Sequence, residues 1–169
     1  MVNVLGVHMH SNWMKSALAM AAVALIGTSA LAQSAAYAVK QRQDIMKGLF
    51  GNYRTASQIA RGESTDVASV PASAEKAIAD LRQFATLFPA GSGREAVPET
   101  RAKPEIWSMR SEFEAKTMAL IEESQKLADA ARTGDMEAVK AQYANVSRTC
   151  GGCHGGPRPS GGTFRFEAQ

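Results

Sequence analysis

The chain has 169 residues, of which 19 are lysine or arginine and 16 are aspartate or glutamate, and its net charge is +3. This length suits a single domain. Because the charge is weak and no basic stripe with interleaved aromatic residues accompanies it, the composition argues against a nucleic-acid-binding protein.

The first element along the chain is a predicted secretory signal peptide, residues 1–32. Lys15 is its only charged residue, and the apolar run over residues 16–26 is too short to span a bilayer comfortably. Small residues up to Ala32 then match a cleavage site. We expect export to the periplasm and cleavage after Ala32, which leaves residues 33–169 as one nearly neutral domain without stable membrane insertion. The alternative is that the same segment remains as a membrane anchor.

Four helices are predicted in the remaining chain, because apolar residues recur at helical spacing and no strand-like alternation competes with them. They are expected over residues 36–61, 71–88, 104–134 and 136–154. Asp135 is a good N-cap for the last helix, and Pro89 forbids continuation of the second. Long helices joined mostly by short loops predict an all-α protein, an antiparallel four-helix bundle.

The fourth predicted helix ends in the motif Cys150-Gly151-Gly152-Cys153-His154. C-x-x-C-H is the attachment signature of a c-type haem, in which two thiols form thioethers with the haem and the histidine ligates the iron. Residues at these spacings share one face of a helix. The motif therefore predicts one covalently attached haem c, bound through Cys150, Cys153 and His154.

Other uses of the two cysteines remain open. Export would allow a disulfide between Cys150 and Cys153. A thioredoxin-like redox pair normally lies at a helix N-terminus in a βαβ unit, which this sequence does not predict. A structural zinc site needs four ligands, whereas the exported chain supplies three at most, since His8 and His10 fall within the signal segment. An inert C-x-x-C beside a chance histidine is the last alternative.

The helical pattern with C-x-x-C-H in the last helix resembles the class II c-type cytochromes, the cytochrome c′ family. Residues 38–47 resemble the first-helix segment of that family, and residues 101–107 resemble the segment that opens its third helix. The resemblance implies that His154 is the proximal ligand of the haem iron. It also implies that Arg42 lies near the haem propionates, with a solvated surface arginine as the alternative.

Met46 matches the position that faces the sixth coordination site of the iron in this family. As a ligand, Met46 would make the iron six-coordinate and low-spin, as in the related cytochromes of the c-556 type, which resemble electron carriers. As a packing residue, it would leave a five-coordinate iron, as in cytochromes c′, which admits NO or CO. Both roles remain open at this point.

The expected function follows from the same resemblance. We expect periplasmic one-electron transfer with redox partner proteins, and the alternative is binding of NO or CO in gas sensing or nitrosative-stress protection. No Ser-His-Asp set, carboxylate pair or phosphate loop indicates an enzyme. Members of the family often dimerise through their first two helices, so the resemblance also allows a homodimer.

The sequence departs from the family pattern after His154. In the family an aromatic–basic pair follows the histidine by three and four residues, whereas here Phe164-Arg165 resembles that pair after an insertion over residues 155–162. We expect the insertion to be a flexible excursion. Either Arg158 or Arg165 could then lie beside the proximal imidazole and influence its hydrogen bonding.

Overall fold

A computed structural model of the protein describes residues 34–155 and 162–166. The predicted signal peptide lies outside these residues. The described helices are α1 (34–52), α2 (Arg54–Ala60), α3 (Val70–Ala85), α4 (Glu105–Ser108), α5 (Arg110–Arg132) and α6 (Met136–His154). Apart from one isolated bridge between Ala102 and Arg165, no β-structure occurs in the described ranges. The predicted all-α fold is confirmed.

Two of the four predicted helices are interrupted by a single residue. Tyr53 (φ −94°, ψ 3°) separates α1 from α2, and Met109 (φ −118°, ψ 45°) separates α4 from α5. Each interruption is local, because the backbone hydrogen bonds on both sides of it persist. The amide of Tyr53, for example, donates to Leu49, and its carbonyl accepts from Ser57. The six segments therefore act as the four helices of a bundle.

Helix ends mostly follow the expected local chemistry. Asp135 caps α6, because its Oδ1 accepts hydrogen bonds from the backbone amides of residues 137 and 138 at 2.9 and 3.2 Å. Gly62 follows α2 with φ +75°, a conformation that favours glycine at a helix C-terminus. The predicted end of α3 is wrong by three residues. It ends at Ala85, after which the amides of Thr86 and Leu87 donate to the carbonyls three residues earlier, and Pro89 disfavours a helical conformation at Phe88.

The buried side chains form a main core cluster and a smaller aromatic cluster. The main core cluster comprises Leu49, Tyr53, Ala56, Ile59, Val70, Ala74, Ala77, Ile78, Leu81, Leu120, Ile121, Leu127, Ala128, Ala131, Val139 and Val146. The aromatic cluster comprises Phe88, Ile106, Phe113 and Phe164, with Phe84, Ala102, Trp107 and Cys153 packed against it. Helix α5 joins the two clusters, because Phe113 belongs to the aromatic cluster whereas Leu120 and Leu127 belong to the main core cluster. None of the helices in the described residues is long and apolar enough to cross a membrane.

Candidate functional site

The C-x-x-C-H motif forms the last turn of α6, as predicted. Cys150 and Cys153 are free thiols there, so the structure contains no disulfide between them. Burial raises the pKa of Cys150 above its ordinary value and that of Cys153 to about 11. A reactive redox pair requires the opposite shift, since the thiolate is the nucleophile. These raised pKa values therefore do not favour a thioredoxin-like role for this pair.

Among the described residues, no further metal-ligating side chain joins the C-x-x-C-H motif. Within residues 34–155 and 162–166, no three histidine, cysteine, aspartate or glutamate side chains converge as metal ligands. A structural zinc site needs four such ligands. The described part of the chain therefore does not support the zinc alternative.

The two cysteines border different parts of the core. Cys150 packs against the main core cluster, whereas Cys153 packs against the aromatic cluster. A group bonded to both thiols must lie at the boundary between the two clusters, where its surroundings are apolar and partly aromatic. The apolar and aromatic side chains at this boundary suit a large, flat and mostly apolar macrocycle such as haem.

His154 is half-buried at the C-terminus of α6. Its pKa is lowered by burial and, to a lesser extent, by the positive charge of Arg165. The imidazole is therefore neutral at pH 7, and iron binds the neutral form. Its ring makes no hydrogen bond with any residue that the structure describes, so it remains available to a ligand.

Met46 lies on α1, half-buried against the main core cluster. Cys150 packs against the same cluster, so α1 and α6 bring both side chains to one apolar region. Packing of this kind suits a core methionine and equally suits a thioether ligand held away from water. The role of Met46 as an iron ligand therefore stays a prediction.

Arg42 is buried, with 4% of its surface exposed, so the alternative of a solvated surface arginine is wrong. Its Nη1 donates to the carbonyl of Leu87 at 3.3 Å and to Ser92 Oγ at 3.1 Å. Its Nη2 donates to the carbonyl of Ser92 and to Thr100 Oγ1, both at 2.7 Å. Arg42 thereby fastens α1 to the connection between α3 and α4, residues 86–104. Only its Nε–H makes no hydrogen bond with a described residue.

Arg42 also contacts the aromatic cluster. Its guanidinium carbon lies 4.6 Å from the ring centroid of Phe88 and 5.9 Å from that of Trp107. Burial lowers the pKa of Arg42 to about 10, which leaves it charged at neutral pH. Trp107 is fixed in turn, because its Nε1 donates to the carbonyls of Phe88 and Pro89 at 3.2 and 3.1 Å. The proximity of Arg42 to haem propionates stays a prediction.

After the insertion the chain returns to the end of α6, which is one of the two arrangements considered from the sequence. We call residues 162–166 the return segment. Phe164 inserts into the aromatic cluster with 2% of its surface exposed, and its amide donates to the carbonyl of Cys153 at 3.4 Å. At Gly162 the backbone passes so close to α6 that a Cβ atom would collide with the Cys153 carbonyl. Of the two arginines considered for the proximal side, Arg165 follows Phe164 directly and its positive charge contributes to the lowered pKa of His154, whereas Arg158 lies outside the described residues.

Comparison with known proteins gives a consistent result. The sequence model of the family described as Cytochrome C' matches residues 37–156 of the chain. The chain is 31% identical over 144 residues to a cytochrome c' of Rhodospirillum rubrum, covering 83% of this chain and 96% of that protein. It is 29% identical over 120 residues to a cytochrome c' of Alcaligenes xylosoxydans xylosoxydans, covering 69% and 89%.

Solved structures support the same fold. A cytochrome c' from Rhodobacter spheriodes superposes with a TM-score of 0.69 at 26% identity, covering 79% of this chain and 98% of that one. Two variants of the Alcaligenes xylosoxidans cytochrome c prime, one with bound carbon monoxide and one with nitric oxide, each superpose with a TM-score of 0.64 at 25% identity. Each of these covers 76% of this chain and 94% of its own. These neighbours are four-helix bundles, so the predicted architecture is confirmed.

Proposed function

Because the chain belongs to the cytochrome c′ family, we propose that it transfers single electrons through its haem iron in the periplasm. It is a haem c-type cytochrome with one covalently attached haem, as the sequence predicted. The proposal concerns what the iron does and which residues hold it. When bound, the haem supplies an iron that takes up and releases one electron.

In this proposal the last turn of α6 holds the haem. Cys150 and Cys153 are the thioether anchors, and the neutral imidazole of His154 is the proximal ligand. Met46 would supply a further ligand of the iron. The supporting observation is the position of Met46, because its side chain is half-buried against the cluster that also receives Cys150. A thioether is uncharged and loses little by leaving water, and methionine–histidine ligation raises the reduction potential.

The experiment is a redox titration of the purified holoprotein, with and without carbon monoxide. An electron carrier with a ligated Met46 titrates reversibly with one electron, and carbon monoxide changes its ferrous absorption spectrum slowly or not at all. Rapid formation of a carbon monoxide adduct by the ferrous protein contradicts the proposal, because it requires an open sixth position.

A second candidate function is reversible gas binding at a five-coordinate iron, in gas sensing or in protection against nitrosative stress. Its support is the similarity to the cytochrome c prime of Alcaligenes xylosoxidans, which has been solved with nitric oxide and with carbon monoxide. In this alternative Met46 packs without ligating the iron. The same titration separates the two functions.

Export and partner proteins complete the proposal. Residues 1–32 would direct the chain to the periplasm, where redox partner proteins would exchange electrons with it. We propose no catalytic turnover of a substrate. A homodimer through the first helices stays a prediction. Two large hydrophobic residues on α1, Tyr37 and Phe50, have 64% and 85% of their surface exposed and would suit such an interface.

A further inference from the structure

The last turn of α6, which carries His154, is intrinsically weak. Glycine occupies positions 151 and 152 inside this turn, and Gly155, with φ +80°, ends the helix directly after it. Glycine is unfavourable in a helix interior, and the last carbonyls of a helix have no partner within it. Helix ends therefore open more readily than helix centres. The position of His154 thus depends on contacts from outside this turn.

The return segment supplies such contacts through its backbone. The amide of Phe164 donates to the carbonyl of Cys153 at 3.4 Å, which is one of the carbonyls that α6 itself leaves free. The backbone at Gly162 lies against the same turn. A Cβ atom at this position would lie 2.6 Å from the carbonyl carbon of His154 and closer still to the amide nitrogen of Gly155. The close approach of the two backbones therefore requires glycine at position 162.

The return segment is itself fixed to two elements outside α6. It pairs with the connection between α3 and α4, because the amide of Lys103 donates to the carbonyl of Phe164 at 3.1 Å. A second hydrogen bond, of 2.9 Å, joins the amide of Phe166 to the carbonyl of Arg101. The ring of Phe164 is buried, and its centroid lies 5.5 Å from that of Phe113 on α5. The segment thus links the weak turn to the connection and to α5.

We propose that the return segment is a strap that holds the last turn of α6 and so keeps His154 bound to the haem iron, with Gly162 as the positioning residue. This inference rests on the proposed role of His154 as the proximal ligand. For the bond between iron and imidazole to break, the ring must move away from the iron, and this movement is easier when its turn opens. Groups that orient a metal ligand without touching the metal influence how firmly the ligand binds.

Gly162→Ala tests this role. The added Cβ atom would push the return segment away from the turn, while Phe164, His154 and both cysteines keep their identity. Gly162 does not have a positive φ, so alanine suits the local backbone and the contact alone is disturbed. Gly51→Ala is the matched control, because no other element of the described chain lies within 4 Å of its added atom on α1.

The measurement is the electron paramagnetic resonance signal of the ferrous holoprotein after mixing with nitric oxide. Nitric oxide bound to ferrous iron weakens the bond opposite to it, and the neutral imidazole then leaves the iron. A bound imidazole nitrogen splits the nitrosyl signal, so disappearance of the splitting reports the loss of His154. We expect this loss to be about tenfold faster in Gly162→Ala than in the wild type, and Gly51→Ala to match the wild type.

Amide hydrogen exchange of the holoprotein separates release of the strap from general destabilisation. The amide of Gly155 is hydrogen-bonded within the last turn of α6 at 2.8 Å, and that of Val139 within the first turn at 3.1 Å. In Gly162→Ala we expect faster exchange at Phe164 and Gly155 and unchanged exchange at Val139. Equal acceleration at both ends of the helix would overturn the inference, because the substitution would then weaken the whole of α6.

Other outcomes also decide the matter. Loss of the imidazole splitting at the wild-type rate in Gly162→Ala overturns the inference, as does equally fast loss in Gly51→Ala. His154→Ala separates this failure from that of the proposed site. If its ferrous spectrum before addition of nitric oxide equals that of the wild type, His154 is not the proximal ligand, and the proposed site fails together with the strap.

Haem content and thermal unfolding verify that each variant is folded. If Gly162→Ala does not fold, Phe164→Leu replaces it, because a smaller apolar side chain loosens the anchor of the strap without opening the close backbone contact. The same faster loss of His154 is then expected, and loss at the wild-type rate overturns the inference.

Discussion

At the scale of single residues, Arg42 shows how a buried charge can organise this molecule. Its guanidinium group satisfies acceptors on Leu87, Ser92 and Thr100, which lie 45 to 58 positions further along the chain. A buried arginine is tolerated only when its donors are paired, since an uncompensated charge costs several kcal/mol. Arg42 therefore holds residues 86–104 in one arrangement beside the aromatic cluster.

Replacement of this arginine by lysine tests that role. In Arg42→Lys, one ammonium nitrogen replaces the two guanidinium nitrogens and cannot keep the hydrogen bonds of both Nη1 and Nη2, so buried acceptors lose their partners. We expect the free energy of unfolding in urea to fall by about 3 kcal/mol. Amide hydrogen exchange within residues 86–104 should also accelerate.

Arg82→Lys is the matched control, because Arg82 is exposed on α3. It should change the stability by less than about 0.5 kcal/mol. Equal stability of the two variants, with unchanged exchange in residues 86–104, would show that Arg42 does not hold the connection.

The sequence predicts some site residues better than others. The spacing of Cys150, Cys153 and His154 defines a helical face by itself, so local sequence was sufficient to place them together. Arg42 was singled out by resemblance, but its partners come from a distant and irregular connection. No periodicity encodes such long-range hydrogen bonds, which is why its burial was not foreseen.

At the scale of elements, the return segment is the least expected feature. An insertion after His154 interrupts the helix, yet residues 162–166 come back to the end of α6 and pair with residues 101–103. Phe164 anchors this arrangement, with its ring centroid 5.5 Å from that of Phe113. The return segment thus supplies by a loop an aromatic–basic pair that the family pattern places on the helix itself.

Truncation of Phe164 tests the anchoring. Phe164→Ala removes a ring that is almost fully buried, so we expect the free energy of unfolding to fall by about 3 kcal/mol. The amides of residues 164 and 166 should exchange faster, because their hydrogen bonds to Cys153 and Arg101 depend on the anchor.

Phe50→Ala provides the comparison, since the same side chain is removed where it is 85% exposed. Its effect on monomer stability should stay within about 0.5 kcal/mol. A Phe164→Ala variant as stable as Phe50→Ala, with unaltered exchange, would mean that the return segment is not anchored by this ring.

Helix prediction succeeded where the apolar periodicity is strong and failed where tertiary contacts determine the boundaries of a helix. The end of α5 before Gly134 and the span of α6 follow from apolar spacing and from the cap at Asp135. Neither interruption falls on a glycine or a proline, although Gly51 lies two positions before Tyr53. Apolar spacing continues across both, so the sequence predicted continuous helices there. The return segment is too short to display a period of its own.

At the scale of the whole molecule, two clusters of apolar residues meet at one end of a helical bundle. Cys150 contacts the main core cluster and Cys153 contacts the aromatic cluster, so the attachment motif spans their boundary. Arg42 holds the connection between α3 and α4 over residues 87–100, and the return segment holds it at residues 101–103. The fold class and the cofactor were predictable from the sequence, because helical spacing and C-x-x-C-H are both local patterns.

What the protein does with its iron depends on whether Met46 reaches it. Resemblance placed Met46 at the sixth coordination position, and the structure places it half-buried against the core. A ligated Met46 makes electron transfer the function, whereas a packed Met46 leaves a position for a gas. The proposed function therefore depends on ligation of the iron by Met46.

The most direct test is the spin state of the ferric iron, read from the absorption spectrum of the holoprotein and of two methionine variants. We predict a low-spin wild type that Met46→Ala converts to high-spin, because the sixth ligand is lost. Met118→Ala removes a methionine that is 52% exposed on α5 and should remain low-spin. A high-spin ferric wild type that Met46→Ala leaves unchanged would contradict the account and indicate a five-coordinate, gas-binding protein.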